Sequence, residues 1–220
     1  MRFVDPRGED WYKNENDTDN LYYWFAGDQE RNGFSRIGGE GSVLGSFEGH
    51  INDIMASLGL GSLYEDGFFF RLADNSTGAF SSATGPGLFQ EFVNNSGPEF
   101  TVFNDYHPYT RVLKNLSEVR DLQKDVLTGH EMEDNRHFRT KVVDWSPLDI
   151  IPNLNSEARE FIGSFRFYGY MNSALGIDNI IYDSKSRYSF FLHLLNNKTR
   201  SESSHFGNTY QFYIWKSGGR

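Results

Sequence analysis

Apolar residues recur at helical spacing in two stretches of the chain. The first stripe consists of Phe47, Ile51, Ile54, Met55 and Leu58. The second consists of Leu113, Leu116, Val119, Leu122 and Val126. Positions three or four apart share one face of a helix, so the pattern predicts helices over 47–58 and 110–127. A shorter helix is predicted over 87–95, and one or two helical turns over 153–160.

Strand patterns fill the start and the end of the sequence. The first 45 residues are dense in Gly, Asn, Asp and aromatic residues, which indicates short strands and turns, and a further strand is predicted at 67–72. The last sixty residues predict four strands, at 165–167, 179–182, 187–195 and 209–215, with a hairpin turn at Asp183 to Ser186. The charged stretch 129–141 is predicted to be an exposed loop. Together these elements predict an α+β fold, with an antiparallel sheet in the C-terminal half and a few amphipathic helices packed on it.

Composition excludes several classes of site and structure. The 220 residues include no cysteine, which excludes disulfides, thiolate catalysis and cysteine-bound zinc. The longest apolar runs, such as Phe68 to Phe70, are too short to cross a bilayer, and the first residues do not form a signal peptide. We therefore expect a chain made in the cytoplasm that has no stable membrane insertion.

Charge is unevenly distributed along the chain. The net charge is −9, but residues 151–220 contain 8 basic and 5 acidic side chains. The acidic whole argues against broad nucleic-acid binding, while the basic last third is the place where an anionic ligand is expected.

Several segments resemble one family of bacterial toxins. The run Asp5-Pro6-Arg7-Gly8-Glu9-Asp10-Trp11-Tyr12 is similar to the Asp-Pro-x-Gly segment that ends the Rhs cage repeats of Bacteroidetes-type polymorphic toxins. The linker that follows in that family is similar to the spacing of Tyr22, Tyr23, Trp24, Gly27, Gly33, Phe34, Ile37 and Gly38. The tail 207–215 resembles the extreme C-terminus of the same proteins. The resemblance implies a linker segment over 1–45 and a toxin domain over 46–220.

The same resemblance implies how the domain is used. Such toxins are type VI secretion effectors: an upstream Rhs region connects them to the secretion apparatus, they are delivered into a neighbouring bacterial cell, and a cognate immunity protein neutralises them at home. The reaction is not implied, because the toxin module is the variable part of the family. Self-cleavage is not carried over either, since Glu9-Asp10-Trp11 stands where the proteobacterial form has Gly-Leu.

The predicted strand 187–195 contains the leading candidate site. Alternation places Arg187, Ser189 and His193 on its polar face, with Asp183 at the adjoining turn and Arg200 beyond the strand. A histidine near a carboxylate and cations can act as a general acid or base on a phosphate or ester. We therefore predict a catalytic group of His193, Asp183, Ser189 and Arg200; the alternative is an ordinary solvated face of a sheet.

Two further groups are candidates. His107 stands between Tyr106 and Pro108, where proline favours an extended backbone; it either lies at a cleft and takes part in catalysis or caps the helix at the edge of the core. In the second group, His130, Glu133, Asp134 and His137 would share a face if helical and suit a divalent metal. A charged, solvated loop is the alternative there.

Three functions follow from these patterns. The first is a hydrolase toxin of the phosphodiester or pyrophosphate class, acting on a phosphate-bearing target such as the envelope precursor lipid II, the substrate of colicin M-like toxins. The second is a nuclease toxin that uses His193, Arg200 and His205. The third is a non-enzymatic binding or membrane-perturbing module, in which the helix 47–58, followed by Leu60, Leu63 and Phe68 to Phe70, inserts into lipid, although the helix is short and its polar face is acidic.

Overall fold

The structure is a computed structural model that describes residues 10–17, 19–27, 29–73, 85–128, 138–143, 165–172, 176–185 and 209–218. The chain divides into two compact units, Met1–Leu72 and Ala73–Arg220. Helices and strands occur in both units, and most of the strand residues lie in the C-terminal half, so the predicted α+β class is confirmed. The proposed division into a linker segment and a toxin domain stays a prediction.

The first unit contains one helix and an antiparallel sheet. Its elements are β1 (Asp10–Asn14), β2 (Leu21–Phe25), β3 (Phe34–Gly38), α1 (Phe47–Ser57) and β4 (Phe69–Ala73, whose last residue belongs to the second unit). The strands pair in the order β3-β1-β2-β4. The predicted helix and short strands are confirmed, and the apolar stripe of α1 is buried at Phe47, Ile51, Ile54 and Met55.

The core of the first unit joins the sheet to α1 through a tryptophan. The ring of Trp11 meets those of Trp24 and Phe70 edge to face, with ring centroids 5.2 Å apart in each case. The Nε1 of Trp11 donates a hydrogen bond of 2.8 Å to Oε1 of Glu48, in the first turn of α1. Burial raises the pKa of Glu48, because the charged carboxylate is disfavoured away from water.

The second unit contains three helices and five strands among its described residues. These are α2 (Gly85–Asn94), β5 (Phe100–Phe103), α3 (Pro108–Lys114), α4 (Ser117–Thr128), β6 (Phe138–Val143), β7 (Phe165–Met171), β8 (Gly176–Lys185) and β9 (Thr209–Gly218). The strands lie in the order β5-β9-β8-β7-β6. Every pair is antiparallel except β5 and β9, which run parallel.

Helices α3 and α4 cover one face of this sheet. The core there combines both helical stripes with strand residues, among them Leu113, Val119, Leu122, Val126, Phe103, Phe167, Ile181, Tyr213 and Trp215. Two hydrogen bonds through Asn179 connect α4 to the sheet. Gln123 Nε2 donates to Asn179 Oδ1 at 3.0 Å, while Asn179 Nδ2 donates to the carbonyl of Trp215 at 3.2 Å.

Some elements differ from the sequence predictions. The helix predicted over 110–127 is two helices, because the chain turns after α3, where the side-chain amide of Asn115 donates to the carbonyl of Arg111 at 2.8 Å. Residues 138–141, predicted as part of a loop, belong to β6, which pairs with β7. Strand β5 was not predicted. The predicted strand 187–195 and the helical turns at 153–160 lie outside the described residues.

Among the described segments, no helix is both long and apolar enough to span a bilayer. Among the side chains that the membrane-perturbing alternative requires, Ile51, Ile54 and Phe70 are each at most 2% exposed, whereas Phe69 is 38% exposed. Lipid contact through α1 would therefore require its apolar face to leave the core.

Candidate functional site

A row of polar side chains crosses three neighbouring strands of the second unit. Asp183 of β8 pairs directly with Gln211 of β9, and Gln211 pairs with Thr101 of β5. Directly paired residues present their side chains on the same face of a sheet. The exposed fractions of Asp183, Gln211 and Thr101 are 3%, 1% and 3%. We call these three residues the polar row.

The position of Asp183 corrects the predicted hairpin turn. Strand β8 continues through Lys185, with Ser184 paired to Tyr210 and Lys185 paired to Thr209. The composition Asp-Ser-Lys-Ser is typical of a turn, but pairing with β9 along the whole of β8 extends the strand through 183–185. Asp183 is consequently a buried carboxylate within a strand, not an exposed group beside a turn.

Tyr213 connects the polar row to the apolar core. Its hydroxyl donates a hydrogen bond of 2.9 Å to Oε1 of Gln211, and its ring stacks on Phe103 with centroids 4.6 Å apart. Burial raises the pKa of Tyr213 well above its usual value, and the nearby charge of Asp183 raises it further. The electrostatic field of Asp183 at the Tyr213 hydroxyl therefore disfavours a second negative charge there.

His107 begins α3 and acts as its N-cap. Its backbone is extended, with φ −70° and ψ 137°, as the following Pro108 predicts. The Nδ1 atom accepts a hydrogen bond of 3.2 Å from the backbone N–H of Tyr109, so the proton of a neutral ring lies on Nε2. The ring packs against Phe103, 4.7 Å away between centroids, which is the ring that Tyr213 stacks on from β9. His107 thus borders the same aromatic cluster as the polar row while capping a helix.

A second buried carboxylate lies on the same strand but has a different setting. Asp178 of β8 is 1% exposed and pairs with Tyr170 of β7 and Lys216 of β9. Its Oδ1 accepts a hydrogen bond of 3.1 Å from Asn172 and lies 4.0 Å from Nζ of Lys216. Strand alternation places Asp178 and Asp183 on opposite faces of the sheet. On strand β9, the residue paired with Asp178 is the cationic Lys216, whereas the residue paired with Asp183 is Gln211, which has an amide side chain.

The remaining predicted site residues are not placed by the structure. Ser189, His193 and Arg200 lie outside the described residues, as do His205 and the proposed metal group at 130–137. The structure therefore describes Asp183 and His107 of the predicted site residues. Within the described segments, no three His, Asp or Glu side chains come together as a metal site would require.

Three residues of this region were missed by the sequence prediction. Gln211 and Thr101 complete the polar row, and Tyr213 binds Gln211. A signal for Gln211 is present, because it interrupts the otherwise apolar and aromatic run from Tyr210 to Trp215. A buried polar residue in such a strand needs a polar partner, which marks it as a residue to examine. Thr101 has no such signal, since threonine is common in strands.

The chemistry available at the polar row follows from its donors and acceptors. Asp183 supplies a carboxylate that can accept a proton, while the amide of Gln211 and the hydroxyl of Thr101 can hold an oxygen atom in place. Comparison of the chain with protein-family models, with curated proteins and with solved structures gives no match.

Proposed function

We propose that this chain is the toxin domain of an antibacterial effector, delivered into a neighbouring cell by a type VI secretion apparatus through an upstream Rhs region. The resemblance of residues 5–12 and 22–38 to Rhs toxins supports this proposal. The proposal includes a cognate immunity protein whose gene lies directly downstream. Electrostatic complementarity favours an acidic contact face on that partner if it covers the basic last third of the chain.

The proposed reaction is hydrolysis of a phosphate-bearing target such as an envelope precursor. The observation that carries this step is the polar row, in which Asp183 is 97% removed from solvent and aligned with Gln211 and Thr101. A buried carboxylate lowers stability unless it is well compensated, and such groups cluster at functional sites. We assign Asp183 the role of general acid or base.

His193, Ser189 and Arg200 remain proposed partners of Asp183 in that reaction. The segment that contains them leaves β8 at Lys185 and returns to β9 at Thr209, and these two residues pair with each other two positions from Asp183. Both ends of the segment therefore start beside the polar row. His193→Ala should abolish toxicity and leave the melting temperature unchanged. A fully toxic His193→Ala protein would remove this residue from the site.

Expression in two compartments of a test bacterium tests the proposal. We expect killing in the periplasm if the target is an envelope precursor, and relief when the downstream gene is expressed with the toxin. Killing in the cytoplasm with loss of nucleic acid would instead support the nuclease alternative. Unchanged growth in both compartments, with folding confirmed by circular dichroism, would show that the toxin proposal is wrong.

A further inference from the structure

Four aromatic rings form a connected cluster on the sheet of the first unit. Tyr23 of β2 pairs with Phe69 of β4, and Phe25 lies two residues further along β2, so these three side chains share one face. The ring centroids of Tyr23 and Phe69 are 5.3 Å apart, and those of Tyr23 and Phe25 are 6.1 Å apart. Phe34 of β3 meets Tyr23 and Phe25 edge to face. We call these four residues the aromatic patch.

The aromatic patch reaches the surface, unlike the rings on the other face of the same sheet. Phe69 is 38% exposed, and Tyr23, Phe25 and Phe34 are half-buried. Trp24, which alternates with them along β2, is 1% exposed. Connected aromatic surface of this kind favours association, because a partner removes it from water.

A cation of the chain itself already stacks on one ring of the aromatic patch. The guanidinium carbon of Arg31 lies 3.9 Å from the centroid of the Phe25 ring. The face of an aromatic ring attracts a cation, and the planar guanidinium of arginine stacks on it. Phe69 is at the other end of the row, beyond Tyr23. An arginine from a partner can therefore bind at Phe69 as Arg31 does at Phe25.

Exposed carboxylates flank the aromatic patch. The first unit contains 6 basic and 13 acidic side chains. Glu15 and Asp66 are exposed, and each accepts a hydrogen bond from a residue that directly follows one of the rings. Glu15 accepts from the Ser35 hydroxyl at 2.6 Å, and Asp66 accepts from the backbone N–H of Ala26 at 2.9 Å. The surroundings of the rings are therefore negatively charged.

A third carboxylate narrows the class of partner. The charge of Asp17, after burial, raises the pKa of the Tyr23 hydroxyl. Negative potential repels nucleic acids and anionic membranes, and it adds nothing to the binding of a neutral ligand. It attracts a basic protein surface and speeds its association. The chemistry that suits both the rings and the carboxylates is that of an arginine-rich segment.

We propose that the aromatic patch, with Glu15, Asp17 and Asp66 beside it, is a docking surface for an arginine-rich segment of a partner protein. Alternate side chains of an extended segment are about 6.6 Å apart. This spacing is close to the 5.3 and 6.1 Å between successive rings, so arginines at every second position reach neighbouring rings. The inference concerns the first unit and does not depend on the reaction proposed for the second unit.

Fluorescence anisotropy with synthetic peptides tests this inference. The full chain is made in a cell-free system, which avoids toxicity, and is titrated into a labelled peptide of alternating arginine and threonine. Matched peptides contain glutamine or glutamate in place of arginine. We expect only the arginine peptide to bind, and we expect its affinity to fall as the salt concentration rises from about 0.05 to about 0.5 M, because salt screens surface charges.

Two variants of the first unit locate the binding surface. Phe69→Thr removes the most exposed ring and should weaken binding by about fivefold, the size of one exposed cation–π contact. Asp66→Asn keeps an acceptor for the N–H of Ala26 but removes the charge, and should weaken binding by about threefold. Tyr106→Thr and Asp121→Asn change exposed residues of the second unit and should leave binding unchanged.

The inference is overturned if the arginine peptide does not bind, if the glutamine or glutamate peptide binds equally well, or if the two control variants weaken binding as much as Phe69→Thr and Asp66→Asn do. Circular dichroism checks the folding of each variant, and Asp66→Asn alone decides the result if Phe69→Thr does not fold. Self-association that Phe69→Thr abolishes, measured by analytical ultracentrifugation, would assign the aromatic patch to a second copy of the chain. Binding to phosphatidylcholine vesicles that Phe69→Thr abolishes would assign it to a membrane. Either result would overturn the inference.

Discussion

The packing of α4 on the sheet predicts a strong effect of one added methyl group at Gly169. A Cβ atom at this position of β7 would stand 2.8 Å from Cγ2 of Val126 and 3.1 Å from Cε1 of Phe167. Val126 is β-branched, has few alternative rotamers and is 3% exposed, so it cannot turn aside. Gly169 does not have a positive φ, so the contact and not backbone strain determines the result.

The size of the effect follows from known costs of overpacking. We expect Gly169→Ala to lower the free energy of unfolding by about 1–3 kcal/mol. For a chain of this length the melting temperature should fall by about 2–4 °C for each kcal/mol. Urea unfolding followed by circular dichroism measures the change.

A double-mutant cycle separates this contact from other causes. Val126→Ala removes the methyl group that the new Cβ would meet, at its own cost of about 2 kcal/mol. In that background Gly169→Ala should cost less than about 0.5 kcal/mol, giving a coupling energy of at least about 0.5 kcal/mol. Equal effects of Gly169→Ala in both backgrounds, or no effect in either, would refute the described packing of α4 on β7.

Two further predictions each concern one residue: His107 in the second unit and Glu48 in the first. His107→Ala should lower the free energy of unfolding by about 0.5–2 kcal/mol through loss of the N-cap, and His107→Asn should restore most of that stability, because asparagine is a preferred cap. Urea unfolding of both variants measures these changes. Equal stability of His107→Ala and the parent protein would contradict the capping role. Glu48→Gln should gain stability relative to the parent protein as the pH rises above about 4.5, because burial raises the pKa of Glu48 in the folded protein while the unfolded chain ionises at its ordinary pKa. Trp11 can still donate to the glutamine carbonyl, so tryptophan fluorescence during urea unfolding at several pH values isolates the ionisation, and a pH-independent difference would contradict it.

The sequence predicts those helices and strands that are determined by residues close together in the chain. The stripe from Phe47 to Leu58 gives α1 directly, because helical spacing depends only on neighbouring residues. The break between α3 and α4 escapes this reasoning, since the apolar stripe continues across it. Its cause is the turn at Asn115, whose side chain bonds a helix carbonyl. One apolar stripe can therefore belong to two helices that pack on the same core.

The candidate site depends on contacts distant in sequence, which explains why it was only partly predicted. Asp183 was selected for its charge, but its placement at a turn was wrong, since pairing with Gln211 outweighs the local turn composition. Thr101 joins the same row through the parallel pairing of β5 with β9, and the sequence between those strands contains no sign of that pairing. Strand register across such separations is set by the packed core, not by local propensity.

The central claim, that killing depends on the polar row, is tested most directly by comparing two matched variants. Asp183→Asn and Asp178→Asn each remove one buried carboxylate from β8, on opposite faces of the sheet. We expect Asp183→Asn to lose killing activity by about 100-fold or more, as loss of a general acid or base does. Asp178→Asn should kill as the parent protein does, with folding of both variants confirmed by circular dichroism. Full killing by folded Asp183→Asn, or equal loss in both folded variants, would contradict the assignment of the site to the polar row.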